Sequence, residues 1–487
     1  MRKWLLVCLS WLSAQRAGFI YALWDLDFEA AEREVTLEWN GSYITWDNHR
    51  IAFFKALFPL SPAERKAFWE TTNLYERQFE RQIAPTLPEL VADAYAQRAV
   101  IAAMERDWLS AGMAAWKSWR LIQKGLPRDP LTHQWQGLWQ VVFATLPPPY
   151  ERWIPGKPEQ RWAKAIEHLR QAAQSEGYIV WEASLLYFFL LKNFDTLAGK
   201  WLDSCRYLLF SQRVPPYLWR FAIALHAVEE GRLGEAETML VSLSQLPQVS
   251  RFPYALYWLG KVYLYQGRWK EAEETWRQFV IKQFQPFGLA SQYTWRGYIA
   301  WTRGDTTMAK ELWHAAISYS NLLWEEDIIA QEFAKGWLVS PPHKVEQLLW
   351  KVRWLIQRRQ FEAARDSLEP LREMISSLTG DDRAMLYYTY GRLYHRWGRE
   401  EPARFAYYQA TRQVTEKEHW IRGYAALYLA QLYERAGDWH NARLYYKEAE
   451  KIAQSVGRTG LIQKARAGYE RVKDKRYEVA GDVSQNR

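Results

Sequence analysis

The ten residues GRWKEAEETW at 267–276 return in outline at other places along the chain. Each copy opens with Gly, places Ala five residues later, and ends in a large apolar or aromatic residue four beyond that. A chain with such repeats is expected to build one structural unit several times. The further copies are GRLGEAETML (231–240), GDTTMAKELW (304–313), GREEPARFAY (398–407) and GDWHNARLYY (437–446), with looser copies that lack the Gly at 26–35, 106–115 and 360–368.

The stretch before Gly267, ALYWLGKVYLYQ (255–266), has apolar residues at helical spacing. Gly267 is expected to end this helix, because glycine tolerates the left-handed conformation that a helix C-terminus often needs. Ala272 then starts an apolar stripe on a second helix, and Gly260 lies on the side of the first helix that faces it. We therefore predict a helical hairpin whose two backbones approach closely at Gly260 and Ala272.

The same hairpin recurs with its small residues in the same places. The loop glycines 231, 267 and 304 are 36 and 37 residues apart, and Gly398 and Gly437 are 39 apart. The equivalent small residues are Gly297 with Ala309 after loop Gly304, Gly391 with Ala403 after loop Gly398, and Ala430 with Ala442 after loop Gly437.

Paired small residues, a glycine hairpin and this spacing resemble the tetratricopeptide repeat. The resemblance is strong over 217–316 and 384–452, weaker at 15–38, 92–121 and 345–372, and amounts only to helical hairpins at 130–172 and 178–210. It implies an all-α fold, a solenoid of helical hairpins wound into a right-handed superhelix. The segment TLEWNGSYITW (36–46) could instead form a strand, or a loop between helices.

Proline-rich segments at 146–158, 285–288 and 338–344 are the best candidate boundaries, since a helix must stop there. We accordingly predict an N-terminal helical region at 15–145, central repeats at 159–336, C-terminal repeats at 345–478 and a polar tail at 479–487.

The resemblance also implies a concave groove lined by the first helix of each hairpin. The alternative is that these rings pack against the neighbouring repeat. The Lys and Asn with which one family variant grips a chaperone's terminal carboxylate are not found at the matching positions, so that function is not expected. The predicted groove residues are Tyr257, Lys261, Tyr298, Trp301, Tyr388, Arg392, His395 and Gln431.

Composition and motifs point away from enzymes and nucleic-acid binding. The net charge of +9 is spread over 487 residues, and the basic segment at 464–476 is interrupted by acids. Two cysteines, Cys8 and Cys205, build no metal site or disulfide framework, and neither a phosphate-binding loop nor a nucleophile elbow occurs. Glu325-Glu326 is expected to be a solvated face and Asp381-Asp382 a helix start. No cofactor, metal or transmembrane span is expected.

The N-terminus MRKWLLVCLSWLSAQ has the order of a secretory signal: two cations, a short apolar run and small residues. Because the first repeat begins at about Gln15, residues 1–14 are surplus to it, and we predict a signal peptide. The expected function is that of a non-enzymatic scaffold in a bacterial cell envelope, which binds a peptide or protein segment in its groove. The alternatives are a cytoplasmic adaptor in which residues 1–14 form a packed cap, and an envelope protein that stacks sugars on exposed Trp and Tyr.

Overall fold

The chain forms helices joined by short turns. The computed structural model describes residues 19–35, 41–59, 61–125, 129–145, 161–175, 179–194, 216–283, 287–319, 324–415, 419–473 and 475, and no strand occurs within these ranges. Residues 19–24 are helical and precede α1. The remaining helices, α1 to α22 in chain order, are Phe28–Val35, Gly41–Leu57, Pro62–Gln78, Pro88–Met104, Trp108–Ile122, Pro130–Thr145, Arg161–Gln174, Val180–Phe194, Tyr217–Glu229, Leu233–Ser244, Tyr254–Gln266, Trp269–Lys282, Leu289–Thr302, Thr306–Ser318, Glu325–Val339, Lys344–Gln357, Phe361–Glu373, Gly380–Arg396, Glu400–Arg412, His419–Arg435, Trp439–Ser455 and Thr459–Val472.

Consecutive helices pack in antiparallel pairs. The pairs are α2 with α3, α4 with α5, α6 with α7, α9 with α10, α11 with α12, α13 with α14, α16 with α17, α18 with α19, and α20 with α21. Helix α15 packs on both α13 and α14, and α22 packs on the last pair. The predicted fold class is confirmed: the protein is an all-α solenoid of helical hairpins. The predicted domain limits remain predictions, and residues 1–14, Cys8, Cys205 and the tail at 479–487 lie outside the described residues.

The hairpin turns share one backbone conformation. The loop glycines 231, 267, 304, 398 and 437 all have φ between +73° and +87°, in the left-handed region. The copies without glycine place Leu26, Arg106 and Arg359 at the same position, with φ of 60°, 65° and 60°. These side chains accept a strained conformation that glycine adopts freely. The turn is therefore a property of the repeat and does not depend on the glycine alone.

In three hairpins, a glycine of the first helix lies against an aromatic ring from the second. A Cβ added to Gly260 would lie 2.6 Å from Cδ1 of Trp276, and the Trp276 indole donates to the Tyr257 carbonyl at 3.0 Å. Trp276 is fully buried. A Cβ added to Gly297 would likewise overlap the Trp313 ring, and one added to Gly391 would overlap the Tyr407 ring. At these three positions glycine is favoured because a side chain would occupy the space of the ring.

The segment 36–46 is not a strand where the structure describes it. Residues 36–40 lie outside the described residues, and α2 begins at Gly41. Three residues at four-residue spacing are all buried: Trp46, Arg50 and Phe54. They form one face of a helix, and this face packs in the core. The strand interpretation of 41–46 is therefore wrong.

The solenoid folds back on itself. Helix α22 contacts α6, α7 and α8, although more than 250 residues separate α22 from α8 in sequence. Its Ala467 joins the hydrophobic core of the N-terminal half, whereas its Leu461 and Ala465 join that of the C-terminal half. A further long-range contact joins the Arg359 guanidinium to the Glu230 carbonyl at 3.3 Å. The C-terminal helix thus ties the two halves together.

A buried ion triad lies inside the N-terminal half. Arg50 on α2 donates to Asp93 on α4 at 3.0 Å and to Glu182 on α8. All three side chains are buried, and the guanidinium lies 4.9 Å from the Trp46 ring. Asp93 also accepts from Trp46 at 2.7 Å and from Trp135 at 2.8 Å. These hydrogen bonds offset the large cost of removing the charges from water.

His49, beside the triad, is fully buried. Its Nδ1 lies 2.8 Å from the Gln97 side-chain oxygen, and its Nε2 lies 3.1 Å from the Thr72 hydroxyl. Burial lowers its pKa from 6.5 to about 4. The folded protein therefore holds a neutral imidazole that the unfolded chain would protonate below pH 6.5.

We expect His49 to make stability fall in mild acid. A depressed histidine pKa leaves stability complete above the unfolded value of 6.5 and reduces it as the pH falls toward 4. Between pH 7 and pH 5 this amounts to roughly 2 kcal/mol. Other buried groups, such as the Asp327 carboxyl with its pKa raised to about 7, titrate in the same window, but they do so in both proteins. Urea unfolding should therefore show that the wild type loses roughly 2 kcal/mol more than His49→Gln between pH 7 and pH 5. An unchanged pH dependence in the variant would contradict the assignment.

Candidate functional site

From α11 onward, the first helices of the hairpins present aromatic and cationic side chains at helical spacing toward one interior space. On α11 these are Trp258, Lys261 and Tyr265, and α20 continues the wall with Trp420, Tyr424 and Tyr428 at four-residue steps. Residues four apart lie on one face of a helix, so each helix contributes a stripe to the wall. The second helices of the same hairpins lie on the outer side of these stripes.

The space is a cavity of about 700 Å³, a size typical of ligand pockets. Most of its lining side chains are buried or half-buried. Eleven of the lining residues are aromatic, and α9, α13, α15, α16, α18 and α22 contribute to the wall in addition to α11 and α20. The lining residues are Glu229, Trp258, Lys261, Tyr265, Trp295, Trp324, Glu325, Glu326, Ile329, Ala330, Phe333, Trp350, Arg353, Trp354, Ile356, Gln357, Tyr388, Arg392, Trp420, Tyr424, Tyr428, Gly460, Gln463 and Lys464.

Two arginines are fixed on the aromatic wall. The Arg353 guanidinium carbon lies 4.5 Å from the Trp350 ring centroid and 5.1 Å from that of Tyr388. The Arg392 guanidinium carbon lies 4.8 Å from the centroid of Tyr428. Such cation–π contacts hold a guanidinium in place while it keeps its donors. The wall therefore offers positive charge beside flat apolar surfaces.

Acidic side chains in the cavity are partly neutralised by the protein itself. Lys261 pairs with Glu326, and the Tyr424 hydroxyl donates to Glu325 at 2.9 Å. Burial lowers the pKa of the Lys261 ammonium, but Glu326 and Tyr265 together outweigh burial and the net pKa is raised. The expectation that Glu325-Glu326 forms a solvated face is wrong, because both carboxylates are half-buried at the cavity wall.

By contrast, two cations of the wall have no carboxylate partner within 4 Å among the described residues. These are Arg392 on α18 and Lys464 on α22. Both side chains are half-buried. A charge held near an apolar surface gains from an opposite charge more than one in open water does. An entering acidic group would supply that opposite charge.

The structure divides the eight predicted groove residues into three sets. Lys261, Tyr388 and Arg392 line the cavity. Tyr257 and Tyr298 are buried in aromatic packing, with their ring centroids 5.5 Å from those of Phe279 and Trp337 respectively. The remaining three, Trp301, His395 and Gln431, are half-buried and are not part of the lining. Whether any of the eight contacts a partner stays a prediction.

Several lining residues were not among the predicted groove positions. Trp258 follows the predicted Tyr257, and Tyr428 lies one turn before the predicted Gln431, whereas no groove position was predicted on the helix of Trp354. Their helical stripe was visible in the sequence, but its direction depends on how neighbouring hairpins rotate against each other. Lys464 comes from α22, which reaches the cavity only because the solenoid folds back.

A second cavity of about 600 Å³ adjoins the first. Phe333 and Trp420 line both, with ring centroids 5.9 Å apart. The Trp337 indole donates to Glu346 at 2.7 Å in this second space, and burial raises the pKa of that carboxyl. The two cavities are therefore neighbouring compartments that share an aromatic wall.

Neither metal-ligand clusters nor membrane spans occur in the described part of the chain. In the described ranges, no group of three or more His, Cys, Asp or Glu side chains could hold a metal ion. Over the same residues, every helix is too short or too polar to cross a bilayer.

The fold and the cavity define a class of protein: a solenoid of helical hairpins whose first helices face an aromatic interior. The family model of the tetratricopeptide repeat matches residues 254–282 and 424–452, which are hairpin α11–α12 and most of hairpin α20–α21. The chain therefore contains tetratricopeptide repeats at these two places, and repeats of this kind form scaffolds for protein interactions.

Comparison with curated proteins finds no match. Among solved structures, the chain is similar to one in the crystal structure of the APC/C hetero-tetramer Cut9–Hcn1. The similarity is 10% in sequence identity with a TM-score of 0.25, and it covers 91% of this chain and 87% of the other.

Proposed function

We propose that this protein is a non-enzymatic scaffold that receives a short segment of a partner protein in the aromatic cavity. The observation that carries the proposal is the cavity wall, to which eight helices contribute aromatic rings, cations or carboxylates. Apolar side chains of a bound segment would pack against rings such as Trp295 and Trp354, and large aromatic residues anchor protein contacts well.

The charges of the wall narrow the chemistry of the segment. Arg392 and Lys464 have no described carboxylate within ion-pair distance, whereas Lys261 already pairs with Glu326. An acidic side chain of the segment would therefore be attracted by an uncompensated positive charge. A basic side chain would be repelled by the same charge. We propose a segment that combines apolar or aromatic residues with at least one carboxylate.

We expect peptide selection to reveal this preference. A displayed library of random peptides panned on the purified protein should yield sequences with aromatic or aliphatic residues beside Asp or Glu. Arg392→Gln should weaken the binding of a selected peptide by at least roughly tenfold, because a charge-assisted contact inside a partly dry cavity is lost. Titration calorimetry or fluorescence anisotropy would measure the change.

Arg412→Gln is the matched control, since Arg412 lies on the outer helix α19 and contacts Tyr408 rather than the cavity. Its peptide affinity should equal that of the wild type. Selected peptides without acidic residues, or an equal loss in both variants, would contradict the proposed segment chemistry.

We also propose that the protein is exported to a bacterial cell envelope. The support is the order of charge, apolar run and small residues in MRKWLLVCLSWLSAQ, which lies before the first repeat. Cell fractionation followed by N-terminal sequencing tests this. A mature N-terminus near Gln15 in the envelope fraction is the expected result. An intact Met1 in the cytoplasm would favour the cytoplasmic adaptor instead.

A further inference from the structure

The outer face of α5 (Trp108–Ile122) exposes large apolar side chains. Trp108 is 64% exposed, Leu109 74%, Met113 56% and Trp116 50%. The opposite face of α5, which includes Ala114 and Ile122, is buried in the hairpin with α4. The exposed residues are therefore not part of the core, and a cluster of exposed Trp, Leu and Met of this kind marks a contact surface.

The same helix carries three cations and has no acidic residue after its N-cap, Asp107. Residues 108–124 contain Lys117, Arg120 and Lys124 but neither Asp nor Glu. Leu109, Met113 and Trp116 are followed by Arg120 at helical spacing, so the apolar stripe continues directly into positive charge.

The three cations of this face differ in whether they form ion pairs. Lys117 is held by Glu76 at 3.6 Å and by Glu80 at 2.9 Å. Arg120 and Lys124 are exposed and form no ion pair with a described residue. The free charges are therefore at the C-terminal end of the stripe, where they are available to an anionic partner.

We propose that this face of α5 docks the protein on a membrane surface that contains anionic phospholipids. Tryptophan favours the boundary between headgroups and acyl chains, and the apolar face of a surface helix enters that boundary to a shallow depth. Arg120 and Lys124 then contact the lipid phosphates, which attract nearby basic side chains. The positive charge of the stripe favours an anionic partner. The side chains that project from the stripe fit a lipid surface, because such a surface deforms around them.

Vesicle flotation with the full chain tests the docking. The probes are vesicles of phosphatidylcholine alone and of phosphatidylcholine with about one third phosphatidylglycerol, at low salt and at physiological salt. We expect binding to the anionic vesicles, weaker binding at the higher salt, and little binding to the neutral ones. Leu109→Glu with Trp116→Glu should lower the bound-to-free ratio on anionic vesicles by at least roughly tenfold, because apolar area and charge both change unfavourably.

Phe405→Glu with Leu444→Glu is the matched control. It adds the same charge at side chains that are 63% and 51% exposed on α19 and α21. This control should bind vesicles as the wild type does, apart from a small effect of net charge. Arg120→Gln with Lys124→Gln should reduce the preference for anionic over neutral vesicles. Circular dichroism establishes that each variant is folded, and Leu109→Ser with Met113→Ser replaces any glutamate variant that is not.

Three results would overturn the proposal. One is the absence of binding to anionic vesicles. Another is an equal loss in the α5 variant and in the control, which would mean that the net charge of +9 attracts vesicles without a defined face. The third is a dimer in light scattering that dissociates in the α5 variant while vesicle binding persists, because α5 would then contact a second copy of the chain.

Discussion

Replacing Arg50 with alanine should destabilise the protein by about 3–5 kcal/mol, the range for removing one partner of a buried ion pair. The loss exceeds that of an ordinary hydrogen bond because Asp93 and Glu182 would remain buried without their counterion. Both carboxylates are almost inaccessible to water. Neither can recover hydration without opening the packing of α2, α4 and α8.

Equilibrium urea unfolding followed by circular dichroism measures this change. Lys55→Met is the control on the same helix, since Lys55 pairs with Glu32 at 2.6 Å in a site where both side chains are substantially exposed. That pair should contribute less than about 1 kcal/mol. Equal losses in Arg50→Ala and Lys55→Met would contradict the view that the triad fastens the N-terminal helices together.

Replacing Trp276 with alanine should cost about 3–5 kcal/mol, because a fully buried indole leaves a large cavity. Gly260→Ala should cost about 1–3 kcal/mol for the opposite reason, since its Cβ would overlap the indole. In the double variant the added methyl enters space that the ring has left. The loss of stability in the double variant should therefore be smaller than the sum of the two single losses by at least about 1 kcal/mol.

Unfolding of the four proteins of this double-mutant cycle tests the direct contact between Gly260 and Trp276. Gly336→Ala is the control for the backbone effect of glycine, because no atom lies within 4 Å of an added Cβ there. That variant should be neutral or slightly stabilised, since alanine favours a helix. Strictly additive losses would mean that ring and glycine act independently, and the hairpin would have to be explained differently.

Much of the fold followed from the sequence because its determinants are local. A loop residue, an alanine five positions later and an aromatic four beyond that are properties of ten consecutive residues. The turn conformation at Leu26, Arg106 and Arg359 shows how far this extends, since those copies keep the left-handed turn without glycine. A local pattern specifies a hairpin even where its most visible residue is absent.

The site was harder to predict because it depends on contacts between distant parts of the chain. Lys464 joins Lys261 in one cavity only through the return of α22. The partners of Glu326 and Arg50 are likewise 65 and 132 residues away, in Lys261 and Glu182. No helical period in the sequence encodes these pairs, and the orientation of each aromatic stripe is set by the packing of neighbouring hairpins.

The most direct test of the account is photo-crosslinking from the cavity. A photoreactive phenylalanine analogue would replace Tyr428 in the cavity wall, and in a second variant Tyr408 on the outer face of α19. In cells of the native organism, the account predicts that Tyr428 gives a covalent adduct with a defined partner and that Tyr408 does not. Crosslinking to that partner from Tyr408 and not from Tyr428 would place binding outside the cavity and contradict the proposal.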